Sequence, residues 1–342
     1  MRRRPPGCLP SSSRCDLAQR ILQPGEIEAL DRTAIPRIRL PERHIVFSAR
    51  AERLRRLADG HPIAGYLRLM ASLVDAQHQV LTDFSAPMPD SEEIARAQAN
   101  SMPIANSLTT ERGRAWHEVL RCLIDRIDAL GTVTPAVGQL LDVLRTTSDV
   151  QLEAAADAVL SLRFAEIDPA TAPFLMAALQ VVWTDIATRL DIRDVPYLDT
   201  PGLCPVCGSM PVASIVRIGG PYHGYRYLQC GLCATEWHMV RIKCSHCDST
   251  KGIAYHGIER GSEAGSEVGS EAGSEAGSEA LKAESCDECH VYRKIGYQEK
   301  DYDFEPLADD LASLTLDLLM SEAGYRRASP NPLLWPQARA VA

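Results

Sequence analysis

Four Cys-x-x-Cys hooks stand between residues 204 and 289: Cys204/Cys207, Cys230/Cys233, Cys244/Cys247 and Cys286/Cys289. A hook of this spacing sets two thiolates on one side of a tight turn, so it supplies half of a tetrahedral sulfur site, and two facing hooks complete one. Four hooks therefore predict two metal ions, each held by four sulfurs. Zinc and iron both accept this ligand set. Of the three possible pairings, the spacing favours the sequential one. Twenty-two residues separate Cys207 from Cys230, and 38 separate Cys247 from Cys286, but 20 of the latter are a repeat insert. Without it the two gaps match the length of a hook–hairpin–hook unit. The ten residues between Cys233 and Cys244 suffice for one connecting strand. The expected sites are thus Cys204, Cys207, Cys230 and Cys233, then Cys244, Cys247, Cys286 and Cys289. Gly208 and Gly231 help these turns point amide N–H groups at sulfur. With eight cysteines available, His238, His246 and His290 are read as flanking residues.

A four-sulfur shell has no open coordination position, which argues against hydrolysis at the metal. The sequence holds no phosphate-binding Gly-Lys-Ser/Thr loop, no Gly-x-Ser-x-Gly elbow, no His-Glu-x-x-His helix and no paired-carboxylate signature. Thiol–disulfide exchange would use one hook with a free low-pKa thiolate rather than four. Nucleic-acid binding by a zinc-ribbon surface is the remaining alternative, because Tyr222, Tyr225, Tyr227 and Trp237 interleave with basic residues. Residues 201–260 carry six Lys/Arg against three acids, a surplus that the thiolate sites offset. The whole chain has a formal charge of −9, and eight thiolates holding two divalent ions would lower it further. Nucleic-acid binders more often are basic.

The elements that must position the hooks follow from the periodicity. Of the 342 residues 45% are apolar, with few aromatics, which suits a largely helical globular chain. Residues 1–46 read as a disordered, Pro- and Arg-rich leader. Its Met1-Arg2-Arg3-Arg4 start lacks the apolar stretch of an export signal. A helical domain is expected over 47–195. Leu54 and Leu57 mark its first helix. Ile63, Leu67, Met70, Val74 and Leu81 form one apolar stripe, and Trp116, Leu120, Leu123, Ile127 and Leu130 another, with more near 135–146, 150–163 and 172–190. Each helix is expected to bury one stripe, as in an antiparallel bundle. Cys122 falls on such a stripe as a core residue, and His78 and His117 are helical histidines without a ligand role. Near Pro196 strands replace helices. Pro211–Ile218 and Tyr225–Gln229 read as hairpin arms, and 236–243, 252–258 and 291–297 as further strands. Metal modules span 196–243 and 244–305. Within the second, 261–280 is five tandem Gly-Ser-Glu-Ala-type units, which have no large side chain to bury and read as a disordered acidic loop. Residues 306–342 hold one helix, with Leu307, Leu311, Leu314 and Leu318 on a face, and a proline-locked tail ending in Leu333-Leu334-Trp335. No apolar stretch is long enough to span a bilayer, so a soluble, cytoplasmic protein is expected, with the hooks reduced.

The sequences around the hooks carry a specific resemblance. Cys204-Pro205-Val206-Cys207-Gly208-Ser209-Met210-Pro211 resembles the first knuckle of the FdhE family, the formate dehydrogenase accessory proteins. So do Tyr225-Arg226-Tyr227-Leu228, Thr235-Glu236-Trp237-His238, Val240-Arg241-Ile242-Lys243-Cys244, Lys282-Ala283-Glu284-Ser285-Cys286, Tyr297-Gln298-Glu299-Lys300-Asp301 and Ala308-Asp309-Asp310-Leu311-Ala312-Ser313-Leu314. In the helical half, Arg50-Ala51-Glu52-Arg53-Leu54 resembles the family as well. The likeness runs from about residue 36 to 335, and the long leader and acidic repeat depart from it. It implies a multidomain α plus small β fold: a helical bundle, two tandem rubredoxin-like or zinc-ribbon-like modules, and a C-terminal helix. It implies iron at the sulfur sites, with zinc possible. It also implies a non-catalytic cytoplasmic factor that binds the catalytic subunit of a respiratory formate dehydrogenase during maturation. The alternatives are a zinc-ribbon nucleic-acid binder and a rubredoxin-like electron-transfer protein. Tyr225, Arg226, Tyr227, Trp237 and His238 are the expected partner-binding surface, because aromatic and Arg side chains often anchor interfaces.

Overall fold

The computed structural model describes residues 35–110, 112–131, 133–258 and 279–336. The helical half holds α1 (Val46–Leu57), α2 (Ala64–Asp83), α3 (Ser91–Ala99), α4 (Ala115–Asp128), α5 (Pro135–Thr146), α6 (Asp149–Leu160) and α7 (Ala172–Arg189). Several starts are written locally. Asp90 and Glu93 form a reciprocal capping box at α3, Ser148 and Gln151 do so at α6, and Thr134 caps α5 ahead of Pro135. The short helix α3 was not expected from periodicity, since only Ala97 of its nine residues is buried. Helix α7 departs from the one-stripe expectation: every residue from Ala172 to Ala187 is buried. It is the central helix, packed by α2, α4 and α6, and a helix covered all round is apolar all round. Cys122 is exposed, the opposite of the expected core position; its neighbours Leu123 and Ile124 take the buried face of α4.

The second half is a sheet. Its strands are β1 (Ile38–Arg39), β2 (Pro211–Val216), β3 (Arg226–Cys230), β4 (Glu236–His238), β5 (Ile253–His256), β6 (Leu281–Cys286), β7 (Val291–Tyr297) and β8 (Arg326–Arg327). Among the described residues the order is β1-β4-β3-β2-β7-β6-β5, with β8 beside β7. The units β2–β3–β4 and β5–β6–β7 are antiparallel, and a parallel pairing of β2 with β7, Ser214 opposite Ile295, joins them. Two hook-bearing units thus share one sheet. Strand β1 pairs Ile38 with Trp237, so the end of the expected leader is ordered into this sheet, and Ile38 is buried. Residues 1–34 lie outside the description.

Three further corrections concern the second half. The strand expected over 236–243 ends at His238, and Arg241 and Ile242 are exposed. Strand β6 has no apolar alternation to announce it, because Lys282 and Glu284 interrupt the pattern; Glu284 is buried and pairs with Arg226 at 2.8 Å. The single C-terminal helix is two, α8 (Pro306–Leu311) and α9 (Leu314–Glu322). Leu307 and Leu311 are buried while Leu318 is 66% exposed, so the four leucines do not share a face. The tail folds back onto the protein, with Leu333 and Trp335 buried in the main core beside the helices. The acidic repeat lies outside the described residues except Glu279 and Ala280.

Candidate metal centres

Each hook is built the same way. The residue after the second cysteine adopts a left-handed conformation: Gly208 (φ 76), Ala234 (φ 59), Asp248 (φ 60) and His290 (φ 52). Only one is glycine, so three hooks hold a conformation that ordinarily disfavours side chains. The turn is closed by backbone bonds from Gly208 to Cys204 (2.8 Å), Asp248 to Cys244 (3.0 Å) and His290 to Cys286 (2.9 Å). It aims N–H groups at sulfur: Leu232 and Cys233 donate to Cys230 Sγ at 3.3 and 3.4 Å, and His246 donates to Cys244 Sγ at 3.4 Å. Such bonds spread thiolate charge around a metal.

The fold brings the hooks together in sequential pairs. The sulfurs of Cys204, Cys207, Cys230 and Cys233 all lie within 4.8 Å of one another, as do those of Cys244, Cys247, Cys286 and Cys289. Cys204 and Cys233 are 3.5 Å apart, Cys207 and Cys230 3.3 Å, Cys244 and Cys289 3.8 Å, and Cys247 and Cys286 3.7 Å. Zinc bound tetrahedrally with metal–sulfur bonds of about 2.3 Å requires sulfurs about 3.8 Å apart. Both groups therefore fit a tetrahedral ion. His238, His246 and His290 belong to neither.

The two sites differ in setting. All four cysteines of the first are buried. Its first hook docks on a turn of the helical half, with Ala105 N–H donating to Val206 O (2.8 Å) and Ser107 N–H to Cys207 O (2.9 Å). Its second hook is held by α7, where Gln180 Nε2 donates to Gly231 O at 2.6 Å and Gln77 Nε2 steadies Gln180 Oε1 at 2.9 Å. Trp183 fixes the docking segment through Ala105 O, 2.8 Å. In the second site Cys244 and Cys286 are buried, Cys289 is half-buried and Cys247 is exposed. Burial pushes the Cys204 and Cys233 thiols well up. Burial acts the same way on Cys207, but hydrogen bonds from Cys204, Cys230 and Cys233 carry it well below the usual thiol range. Sulfurs that share protons in this way are ready to exchange them for a cation.

Sequence reasoning missed Gln77, Gln180 and the 104–107 segment. The available signal was Gln180 itself, a polar residue interrupting the apolar run of α7. The expected partner surface is corrected in part. Arg226, Tyr227 and Trp237 are buried and serve the interior: Arg226 donates to Lys243 O (3.1 Å), Tyr227 Oη to Pro36 O (2.7 Å) and Trp237 Nε1 to Pro201 O (2.7 Å). Tyr225 and His238 are half-buried and meet edge to face, 5.8 Å between ring centres.

A helical domain carrying two hook-built units, each converging four thiols, defines a tetrathiolate-type metal-binding protein with zinc-ribbon-like modules. Family models described as FdhE N-terminal, FdhE central domain and FdhE C-terminal domain match residues 35–199, 203–241 and 242–334. The chain belongs to the FdhE family. It is 42% identical over 322 residues to the FdhE homolog of Pseudomonas aeruginosa, spanning 94% of this chain and 99% of the relative. To the FdhE homolog of Edwardsiella ictaluri it is 41% identical over 298 residues, 87% of this chain and 91% of the other. The crystal structure of the FdhE protein from Pseudomonas aeruginosa superposes with a TM-score of 0.73 at 39% identity, covering 89% of this chain and all of that one.

Proposed function

We propose that this protein is an accessory factor of formate dehydrogenase that holds two metal ions and binds the enzyme's catalytic subunit during its maturation in the cytoplasm. The observation that carries the reading is membership of the FdhE family together with two convergent groups of four cysteines. The eight hook cysteines are the proposed ligands, with iron as the proposed metal and zinc as the alternative occupant. The protein acts by contact rather than turnover, a reading supported by a ligand set that leaves no vacant coordination position. No described helix is long and apolar enough to cross a membrane.

The proposed contact surface centres on Tyr225 and His238, with exposed Arg241 and Ile242 shortly after His238 in sequence and Arg241 donating to Gly224 O at 2.7 Å. Arg226, Tyr227 and Trp237 support it from below. A strain lacking the protein should make the dehydrogenase polypeptide but little active enzyme. The purified protein should capture the catalytic subunit, and Tyr225→Ala/His238→Ala should weaken capture while two ions per chain remain. Normal formate oxidation in the deletion strain would sink the proposal. A redox role, the second reading, is favoured at the second site alone, because its exposed Cys247 gives electron donors or acceptors close approach.

A further inference from the structure

The flank of one hook pair touches the other. Gly202 stands two residues before Cys204, and Ser245 is the first residue inside the Cys244/Cys247 hook. A Cβ added to Gly202 would lie 2.5 Å from the Ser245 carbonyl oxygen, so backbone meets backbone and only glycine fits. Ser245 Oγ also accepts from Arg293 Nε at 2.9 Å. The same guanidinium donates to Ser329 Oγ (2.9 Å) and to the carbonyl of Pro211, four residues past Cys207, where Ser329 Oγ also donates at 2.5 Å. One buried side chain therefore grips the flank of a hook from each site.

Charge runs through the same junction. Arg226 and Arg293 are both buried, and Glu284, opposite Arg293 in the sheet, pairs with Arg226. Arg226 further holds Lys243 O, the residue before Cys244. Two guanidinium groups thus stand beside one carboxylate. A divalent ion on four thiolates is a dianion, and at the second site it would sit just beyond Ser245, where it supplies the missing negative charge.

We propose that the two metal sites are coupled through the Gly202–Ser245–Arg293 junction, so that an ion in either site tightens the other. The proposal rests on reading both sulfur groups as metal sites. A filled site immobilises its hooks, the junction passes that constraint to the neighbouring hook, and the coupling is reciprocal.

The test is an anaerobic titration of the full-length apo chain with cobalt(II), followed by thiolate-to-metal absorption and chelator competition. Cys247→Ala/Cys289→Ala removes the two outward ligands of the second site and leaves every first-site ligand in place. Coupling predicts that the first-site ion is then held about 5- to 150-fold more weakly than in the wild type. Arg293→Gln should weaken the second site by a similar factor, with part of the loss restored by Arg293→Lys. Gly202→Ala keeps all eight thiols and should weaken both sites. Two independent wild-type binding steps, with unchanged first-site affinity in the double cysteine variant, would overturn the coupling and leave the metal sites standing. Failure of the wild type to bind cobalt would remove both.

Discussion

Replacing Gln180 by Leu tests whether the helical half holds the first metal centre in place. Gln180 is fully enclosed in α7, and its Nε2 satisfies the carbonyl of Gly231 inside the Cys230/Cys233 hook at 2.6 Å. Leucine keeps the approximate volume but removes two hydrogen bonds. Gln77 loses one partner yet still donates to Ala177 O at 2.8 Å, so that loss is about 0.5–1 kcal/mol. The Gly231 carbonyl is left buried and unpaired, at about 1–3 kcal/mol. The apolar gain of leucine offsets about 1 kcal/mol. A net loss of about 2 kcal/mol follows, or a fall of about 3 °C in a chain of this size. Scanning calorimetry of the metal-loaded and metal-free protein is the assay. The fall should be larger in the loaded protein, where the ion pins the hook and the carbonyl cannot swing away. Gln180→Glu should do worse, because a carboxylate would face the carbonyl oxygen. An unchanged melting temperature for Gln180→Leu, or equal losses with and without metal, would refute the argument.

Three shorter predictions accompany it. Ala234→Gly and His290→Gly remove side chains from left-handed positions and should each raise stability by up to about 1 kcal/mol in denaturant titrations, whereas Gly208→Ala should lower it. Burial raises the Cys204 and Cys233 thiols, so they stay protonated in the apo protein through neutral pH, and metal uptake must expel those protons. Apparent affinity should then climb about 100-fold per pH unit if two protons leave, and the stability that the metals confer should fade as pH falls; pH-independent uptake from pH 6 to 8 would contradict this. Deleting residues 261–278 shortens the connection between β5 and β6, whose ends are already paired at His256 and Ala283. Closure entropy changes by only about 1 kcal/mol, so elemental analysis should still find the full metal content.

The sequence alone determined which thiols converge and in which pairs, because hook chemistry is local: four residues set each turn, and gap lengths limit which hooks can meet. The long helices were equally legible, since Trp116, Leu120, Leu123 and Ile127 face one core at a 3.6-residue period. Where a pattern was interrupted the reading failed. Strand β6 carries Lys282 and Glu284, and its burial depends on Arg226 from another strand. Arg226, Tyr227 and Trp237 look like surface anchors in sequence, yet partners 17 to 191 residues away draw them inside. Only the tertiary structure decided that both hook units share one sheet, through the parallel contact of β2 with β7. It alone sealed one four-sulfur group under α7 and left Cys247 of the other exposed. Burial belongs to the arrangement of distant segments, and identical Cys-x-x-Cys spacings carry no record of what packs over them.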